Sequence, residues 1–100
     1  MDVVVKEEAY RDLEELDEEV RDRVLDEIEG LEENATPENS VFIEVGDMKL
    51  FRLKLQGEDR NSRLNHRVFY QVGDSKVYIR GVFHRGKGYG EELEEELRER

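Results

Sequence analysis

The stretch KLFRLKL, residues 49–55, alternates apolar and basic side chains and decides the fold. Successive side chains of a β-strand point to opposite faces of a sheet, so its apolar residues share one face. Arg52 and Lys54 then project from the other face. The segment HRVFYQV, residues 66–72, repeats the alternation and places Arg67 opposite its own apolar side chains. The sequence therefore predicts two strands of a sheet with one apolar and one basic face.

The charge of the chain is distributed unevenly around these strands. Residues 48–89 contain 10 basic and 3 acidic side chains, a net charge of +7, whereas the whole chain has a net charge of −11. The acidic remainder has two interpretations, a well-solvated surface or adaptation to molar salt in a halophile. At 1 M salt the Debye length is about 3 Å, so acidity would not oppose binding to a nucleic acid.

The flanking segments predict the remaining elements. Helical spacing of apolar residues indicates a helix hairpin, with Asp17 as the N-cap of its second helix. We expect an α+β domain over residues 1–100, in which an N-terminal strand and the hairpin pack on one face of an antiparallel sheet and the other face is open. Residues 91–100 form an acidic C-terminal tail, either a short helix or frayed, and their charge would allow them to fold back over the basic sheet in the free protein. The further elements expected are strands at 3–5 and 77–83, helices at 7–16 and 18–33, and a strand or extended lead-in at 41–45.

Composition excludes several classes of function. The chain has no cysteine, which removes disulfides, thiol nucleophiles and thiolate metal sites. Its two histidines, His66 and His84, lack the spacing of metal ligands, so no metal and no cofactor are expected. The sequence shows no signal peptide and no apolar run long enough to span a membrane, so a cytoplasmic protein without a membrane partner is expected.

The predicted basic face is the first candidate site. Arg52, Lys54 and Arg67 share it, and Arg85 follows the end of the last strand. Arginine offers planar bidentate donors to phosphate, and a lysine amine can also act as a base among other cations. Phe69 and Tyr78 are candidate stacking partners for bases. The alternative is an ordinary solvent-facing row of basic side chains.

The segment HRGKGY, residues 84–89, is the second candidate site. His84 is a proton-transfer group, Arg85 a phosphate clamp and Tyr89 a stacking or hydroxyl group. The alternative is a histidine held by a carboxylate at the strand end and a tyrosine that anchors the tail. The glycines of this segment lack the Lys-Ser/Thr of a nucleotide-binding loop.

Three stretches resemble the RelE/ParE superfamily of toxin–antitoxin toxins. They are AYRDLEELDEEVR at residues 9–21, the strand pair at 50–55 and 66–72, and HRGKGY at 84–89. The resemblance covers most of the chain in the family's order. It implies a toxin with helices packed against an antiparallel sheet, neutralised by a cognate antitoxin protein.

The resemblance also implies a reaction. RelE-like toxins cut messenger RNA on the ribosome, where a 2′-hydroxyl attacks the adjacent phosphate. By this likeness Lys54 is the candidate general base, Arg67 clamps the phosphate, and Arg85 stabilises or protonates the leaving oxygen. Tyr89 orients the substrate base, and His84 shares the proton transfer.

Further basic residues are implied as contacts to the RNA. Arg52 stands where strong RelE nucleases tend to have lysine. Arginine retains the positive charge but is a poor base. Two alternatives remain open, a ParE-like inhibitor of DNA gyrase and a non-toxic homologue that only binds an antitoxin. The implied RNA-binding residues are Arg52, Arg60, Arg63, Arg80 and Lys87.

Overall fold

The computed structural model describes residues 1–56, 64–84 and 91–99. Within these ranges a five-stranded sheet lies between a helix hairpin and a C-terminal helix. The elements are β1 Asp2–Val5, α1 Glu7–Glu14, α2 Glu18–Gly30, β2 Ser40–Val45, β3 Met48–Gln56, β4 Asn65–Val72, β5 Lys76–His84 and α3 Glu91–Glu99.

The helix hairpin is confirmed, with shorter helices than the periodicity predicts. Apolar side chains recur at helical spacing on one side of α1 and α2, and those side chains are buried. Asp17 occupies the predicted N-cap of α2, although its side chain makes no capping hydrogen bond. No helix of the described ranges is both long and apolar enough to cross a membrane.

The sheet has the strand order β1-β5-β4-β3-β2. Strands β2 to β5 form an antiparallel meander, as predicted, and residues 40–45 are a true edge strand. Strand β1 joins β5 in parallel, which is possible because the hairpin carries the chain across one face of the sheet. At the β2–β3 turn Gly46 adopts φ 63°, a left-handed conformation that glycine tolerates without a Cβ clash.

The first face of the sheet carries the main core. Side chains of α1 and α2 pack there on the predicted inward row of β3, β4 and β5. Tyr70 lies fully buried in this core, and its hydroxyl donates a hydrogen bond of 2.7 Å to the carbonyl of Ala35. That bond anchors the loop that leads from α2 into β2.

The second face is not open, which corrects the expectation from the strand pattern. Leu93 and Leu97 of α3 pack on Leu50, Phe69 and Phe83 and form a smaller core. Leu93 and Leu97, spaced i and i+4, give α3 a single apolar stripe. Packing of this stripe on the sheet stabilises the helix. The acidic tail is therefore the third layer of the domain.

A β-bulge shapes the end of β5. The register with β4 shifts between Phe69 and Tyr70, so that Ile79 and Val82 both point to the first face. The Asp12 carboxylate accepts a hydrogen bond of 3.0 Å from the backbone N–H of Val82. Helix α1 thus fixes the bulged strand just before it reaches His84.

Candidate functional site

The predicted cations of β3 and β4 lie on the second face of the sheet. Arg52 and Lys54 alternate with the buried Leu53 and Leu55, which pack against the hairpin. Arg67 likewise precedes Val68, a fully buried residue of the first face. The alternation therefore places all three cations on the face opposite the helix hairpin, as predicted, although this face also carries α3.

The sheet register brings two of these cations together. Lys54 is the direct cross-strand partner of Arg67, whose partner on β5 is Phe83. Arg52 is the cross-strand partner of Phe69, one position further along the same face. Cross-strand partners have Cβ atoms about 4.5–5.5 Å apart, so the side chains of Lys54 and Arg67 start from neighbouring positions on β3 and β4. The register thus places basic residues at neighbouring positions of the second face.

The three cations differ in exposure. Lys54 is exposed and Arg52 is half-buried. Arg67 is only 6% exposed, and its Nη1 donates a long hydrogen bond of 3.4 Å to the backbone carbonyl of His66. Lys54 is thus open to a ligand in this conformation, whereas the side chain of Arg67 is almost fully buried.

The aromatic residues of this face serve mainly as core. Phe69 is 1% exposed and meets Phe83 edge-to-face at 5.7 Å between ring centroids. The expectation that Phe69 stacks on bases is therefore wrong, because α3 covers its ring. Tyr78 is half-buried, with the Nζ of Lys6 at 5.3 Å from its ring centroid.

His84 does not lie beside the cations. It is the cross-strand partner of His66, and both histidines project from the first face, at the turn between α1 and α2. Their ring centroids are 5.2 Å apart with an edge-to-face geometry. A cavity of about 340 Å³ at this position is lined by both histidines together with Glu15 and Asp17. The sheet therefore separates His84 from Lys54 and Arg67.

The backbone N–H of Asn65 donates a hydrogen bond of 3.1 Å to Nδ1 of His66, so neutral His66 carries its proton on Nε2 in this arrangement. No group of three or more potential metal-ligating side chains occurs within residues 1–56, 64–84 and 91–99.

His66 is expected to make stability depend on pH. Burial lowers the pKa of its imidazole below the ordinary value of 6.5, and the nearby charge of His84 lowers it further. The unfolded chain takes up this proton near pH 6.5 and the folded chain only at lower pH. The stabilising contribution is therefore complete above pH 6.5 and is lost as pH falls through the folded-state pKa.

Thermal unfolding of wild type and His66→Gln from about pH 7.5 to 5 measures this contribution. We expect the melting temperature of the wild type to fall more steeply with acidification than that of the variant. Parallel curves would show that His66 does not titrate differently in the folded protein. The variant keeps the carboxylates, so their titration cancels in the comparison.

Several predicted site residues lie outside the described ranges or away from the cationic pair. Arg80 is half-buried at the β5 bulge. The residues outside the described ranges are Arg60, Arg63, Arg85, Lys87 and Tyr89.

Two features of the site were missed in the sequence. The partnership of His66 with His84 depends on the β4–β5 register, which no local pattern reveals. The role of Asp12 could have been recognised in the sequence. Asp12 is an acidic residue next to the apolar stripe of α1, so it lies at the border of the helix face that packs on the sheet. Its bond to the β5 backbone assigns it to positioning of the strand.

Comparison with known families finds one match over most of the chain. Residues 3–89 match the family described as "ParE toxin of type II toxin-antitoxin system, parDE". No curated protein matches the chain by sequence.

Solved structures of RelE toxins share the fold. A double arginine-to-alanine variant of E. coli toxin RelE in the free state aligns with TM-score 0.67 and 21% identity, covering 98% of this chain and 94% of that one. The archaeal RelE–RelB complex from Pyrococcus horikoshii OT3 contains a chain with TM-score 0.64 and 22% identity, covering 87% and 97%. A chain of the intact E. coli RelBE toxin–antitoxin complex has TM-score 0.61 and 22% identity, covering 83% and 94%.

Proposed function

Because the chain belongs to the ParE toxin family of type II toxin–antitoxin systems, we propose that it is a toxin that cleaves messenger RNA on the ribosome. Its proposed partners are the ribosome with its bound messenger RNA and a cognate antitoxin, and its proposed place of action is the cytoplasm. Two of the similar RelE structures are complexes of toxin with antitoxin, which supports the antitoxin as a partner.

The like-charge pair on the second face is the observation that carries this proposal. Lys54 and Arg67 are direct partners on neighbouring strands, and Arg52 follows on the same face. Basic side chains on neighbouring strands are suited to hold a phosphate group, because both can donate charge-assisted hydrogen bonds to its oxygens.

The proposed reaction uses these groups in separate roles. Lys54 accepts the proton of the 2′-hydroxyl, whose oxygen attacks the adjacent phosphorus in line. Arg67 binds the non-bridging oxygens, on which negative charge accumulates. The bond to the 5′ oxygen breaks, that oxygen takes up a proton, and a cyclic phosphate remains on the upstream fragment. By family likeness Arg85 assists the leaving oxygen, and Tyr89 orients the base.

The burial of Arg67 sets a condition on this reaction. At 6% exposure its guanidinium cannot receive a phosphate without a change on the second face. The guanidinium must leave its hydrogen bond with the His66 carbonyl and become exposed before it can bind a phosphate. His84, on the other side of the sheet, is left without a direct part in the chemistry.

A ParE-like inhibitor of DNA gyrase is the second candidate. The low exposure of Arg67 and the presence of arginine at position 52 favour it, because neither suits a strong nuclease. Such a toxin needs a binding surface and no general base, so its activity would not depend on the proton affinity of Lys54.

Induced expression separates the candidates. After induction, mapping of messenger RNA 5′ ends and a supercoiling assay with purified gyrase are carried out on the same protein. Cleavage in register with codons supports the nuclease. Intact RNA with blocked supercoiling supports the gyrase inhibitor, and a folded protein that leaves both unaffected supports a non-toxic binding homologue.

Arg67→Lys is expected to slow RNA cleavage about 10- to 100-fold. Lysine keeps the charge but loses the planar pair of donors, and a hydrogen bond to a charged group is worth about 1.5–3 kcal/mol. The measurement is the cleavage rate of ribosome-bound messenger RNA. Arg11→Lys on the exposed side of α1 is the control and keeps the wild-type rate. An unchanged rate in Arg67→Lys would remove Arg67 from the site.

A further inference from the structure

The edge strand β2 exposes large apolar side chains on both of its faces. Val41 is 50% exposed and Phe42 is 51% exposed. As neighbours in a strand they point to opposite faces. Elsewhere in the described ranges, the exposed large apolar side chains are Met1 and Tyr10, both outside the sheet. Exposure is thus concentrated at one end of β2.

The backbone of β2 also has free hydrogen-bonding groups. The N–H of Lys54 donates to the carbonyl of Asn39 at 2.9 Å, which makes these residues a hydrogen-bonded pair of the β2–β3 ladder. Antiparallel pairs alternate, so Val41 bonds to β3 while Phe42 and Glu44 direct their N–H and C=O groups outward. No described residue contacts those outward groups by a hydrogen bond.

The strand lacks the features that protect free edges. Natural edge strands avoid pairing through lysine, proline or a β-bulge. Strand β2, with sequence SVFIEV, contains no lysine and no proline, and its register with β3 is unbroken. The aromatic contact of Phe42 with Phe51, at 5.6 Å between centroids, holds the exposed ring against the sheet. Among the described residues the β2 edge therefore pairs without a break and has Glu44 as its one charged side chain.

We propose that β2 is a docking edge for an extended segment of the antitoxin, which adds to the sheet as a further strand. Backbone groups of Phe42 and Glu44 would bond to the segment, and its side chains would continue the two rows of the edge. On the second face β2 presents Val41 and Ile43, so the side chains of the segment on that face should be apolar. The identity of the partner rests on the proposed function, whereas the edge itself does not.

The charges near β2 indicate which side chains the bound segment should carry on the first face. Glu38, Glu44 and Asp47 are exposed before, on and after β2. Basic residues of β3, Lys49 and Arg52, stand one strand further in. On the first face the segment therefore meets the carboxylate of Glu44 and the ring of Phe42, and lysine or arginine suits both.

A second copy of this chain is a poorer occupant. Pairing of β2 with a second copy would bring two sets of the acidic groups of Glu38, Glu44 and Asp47 to one interface. Each chain has a net charge of −11, which adds repulsion between the copies. A basic, apolar segment has complementary charge and meets no such repulsion.

A synthetic peptide tests the edge without the antitoxin. The probe is a labelled peptide of about ten residues that alternates valine and lysine, the length of a long strand. Fluorescence anisotropy should show saturable binding to the wild type. Glu44→Pro, which removes one outward N–H at an edge position that tolerates proline, should weaken binding at least about tenfold, or 1.4 kcal/mol. Glu44→Gln removes only the charge and should weaken binding less.

Other outcomes would overturn the inference. Equal affinity of wild type and Glu44→Pro, or equal binding of a valine–glutamate peptide, excludes edge pairing by a basic segment. Sedimentation that shows a dimer lost in Glu44→Pro assigns the edge to a second copy. If Glu44→Pro does not fold, amide exchange in the wild type decides, since the peptide must then protect the amides of Phe42 and Glu44.

The antitoxin itself separates this inference from the proposed function. Growth arrest that an antitoxin relieves equally in wild type and Glu44→Pro rejects the docking edge and leaves the toxin intact. A wild-type protein that causes no growth arrest and binds no antitoxin rejects the proposed function, whatever the peptide does.

Discussion

Lys54→Ala is expected to slow cleavage of messenger RNA about 100- to 10,000-fold, the contribution of a positioned general base. Lys54 is exposed on β3, directly opposite Arg67 on β4. Its amine is open to a ligand on the face where the cations meet, so it can reach a 2′-hydroxyl. Single-turnover cleavage of ribosome-bound messenger RNA measures the effect, with circular dichroism to verify folding.

Two further variants make this result specific. Lys49→Ala removes an equally exposed lysine from the same strand but from the opposite face, and it should leave the rate unchanged. Lys54→Arg keeps the charge, yet a guanidinium cannot accept a proton, so the variant should be nearly as slow as alanine. A Lys54→Arg enzyme that retains most of the rate would show a charge contact and no general base.

Phe69→Ala is expected to lower the free energy of unfolding by about 3–5 kcal/mol. Phe69 is 1% exposed and contacts the cluster that joins α3 to the sheet. Because a domain of this size is stable by about 5–15 kcal/mol, the variant should be close to unfolding. Urea denaturation followed by circular dichroism measures the loss.

Phe42→Ala is the matched control for this prediction. Phe42 is 51% exposed on the edge strand, so removal of its ring should cost about 1 kcal/mol or less. Similar losses in the two variants would contradict the burial of the second face under α3. The same pair also reports on function, since Phe42→Ala should weaken the peptide that binds to β2.

The strand faces of the site could be predicted because they depend on a local period. In KLFRLKL the side chains alternate, so Arg52 and Lys54 had to share a face once the stretch was a strand. The helix hairpin followed from apolar spacing in the same way. The ends of the helices could not be predicted as well. Helix α2 ends at Gly30 rather than at residue 33, because a helix that is one turn shorter keeps the same apolar spacing.

The contacts of the site depended on register and could not be predicted. Whether Lys54 stands opposite Arg67 or Phe69 changes with a small shift of β3 along β4, and both alignments keep the apolar rows inward. The pairing of His66 with His84 has the same origin. The alternating pattern of the two strands identified the basic residues, and the register decided which of them are cross-strand partners.

The amino-acid sequence by itself determined the α+β class, the order of the elements and the face on which each cation lies. These properties follow from periods of 2 and about 3.6 residues, which every local segment carries. Only the tertiary structure decided that α3 packs on Phe69 and Phe83 of the second face, that Arg67 is buried and that β2 is an edge strand of the described sheet. The physical reason is that burial and pairing are relations between distant segments, and their free energy comes from surfaces that no single segment contains.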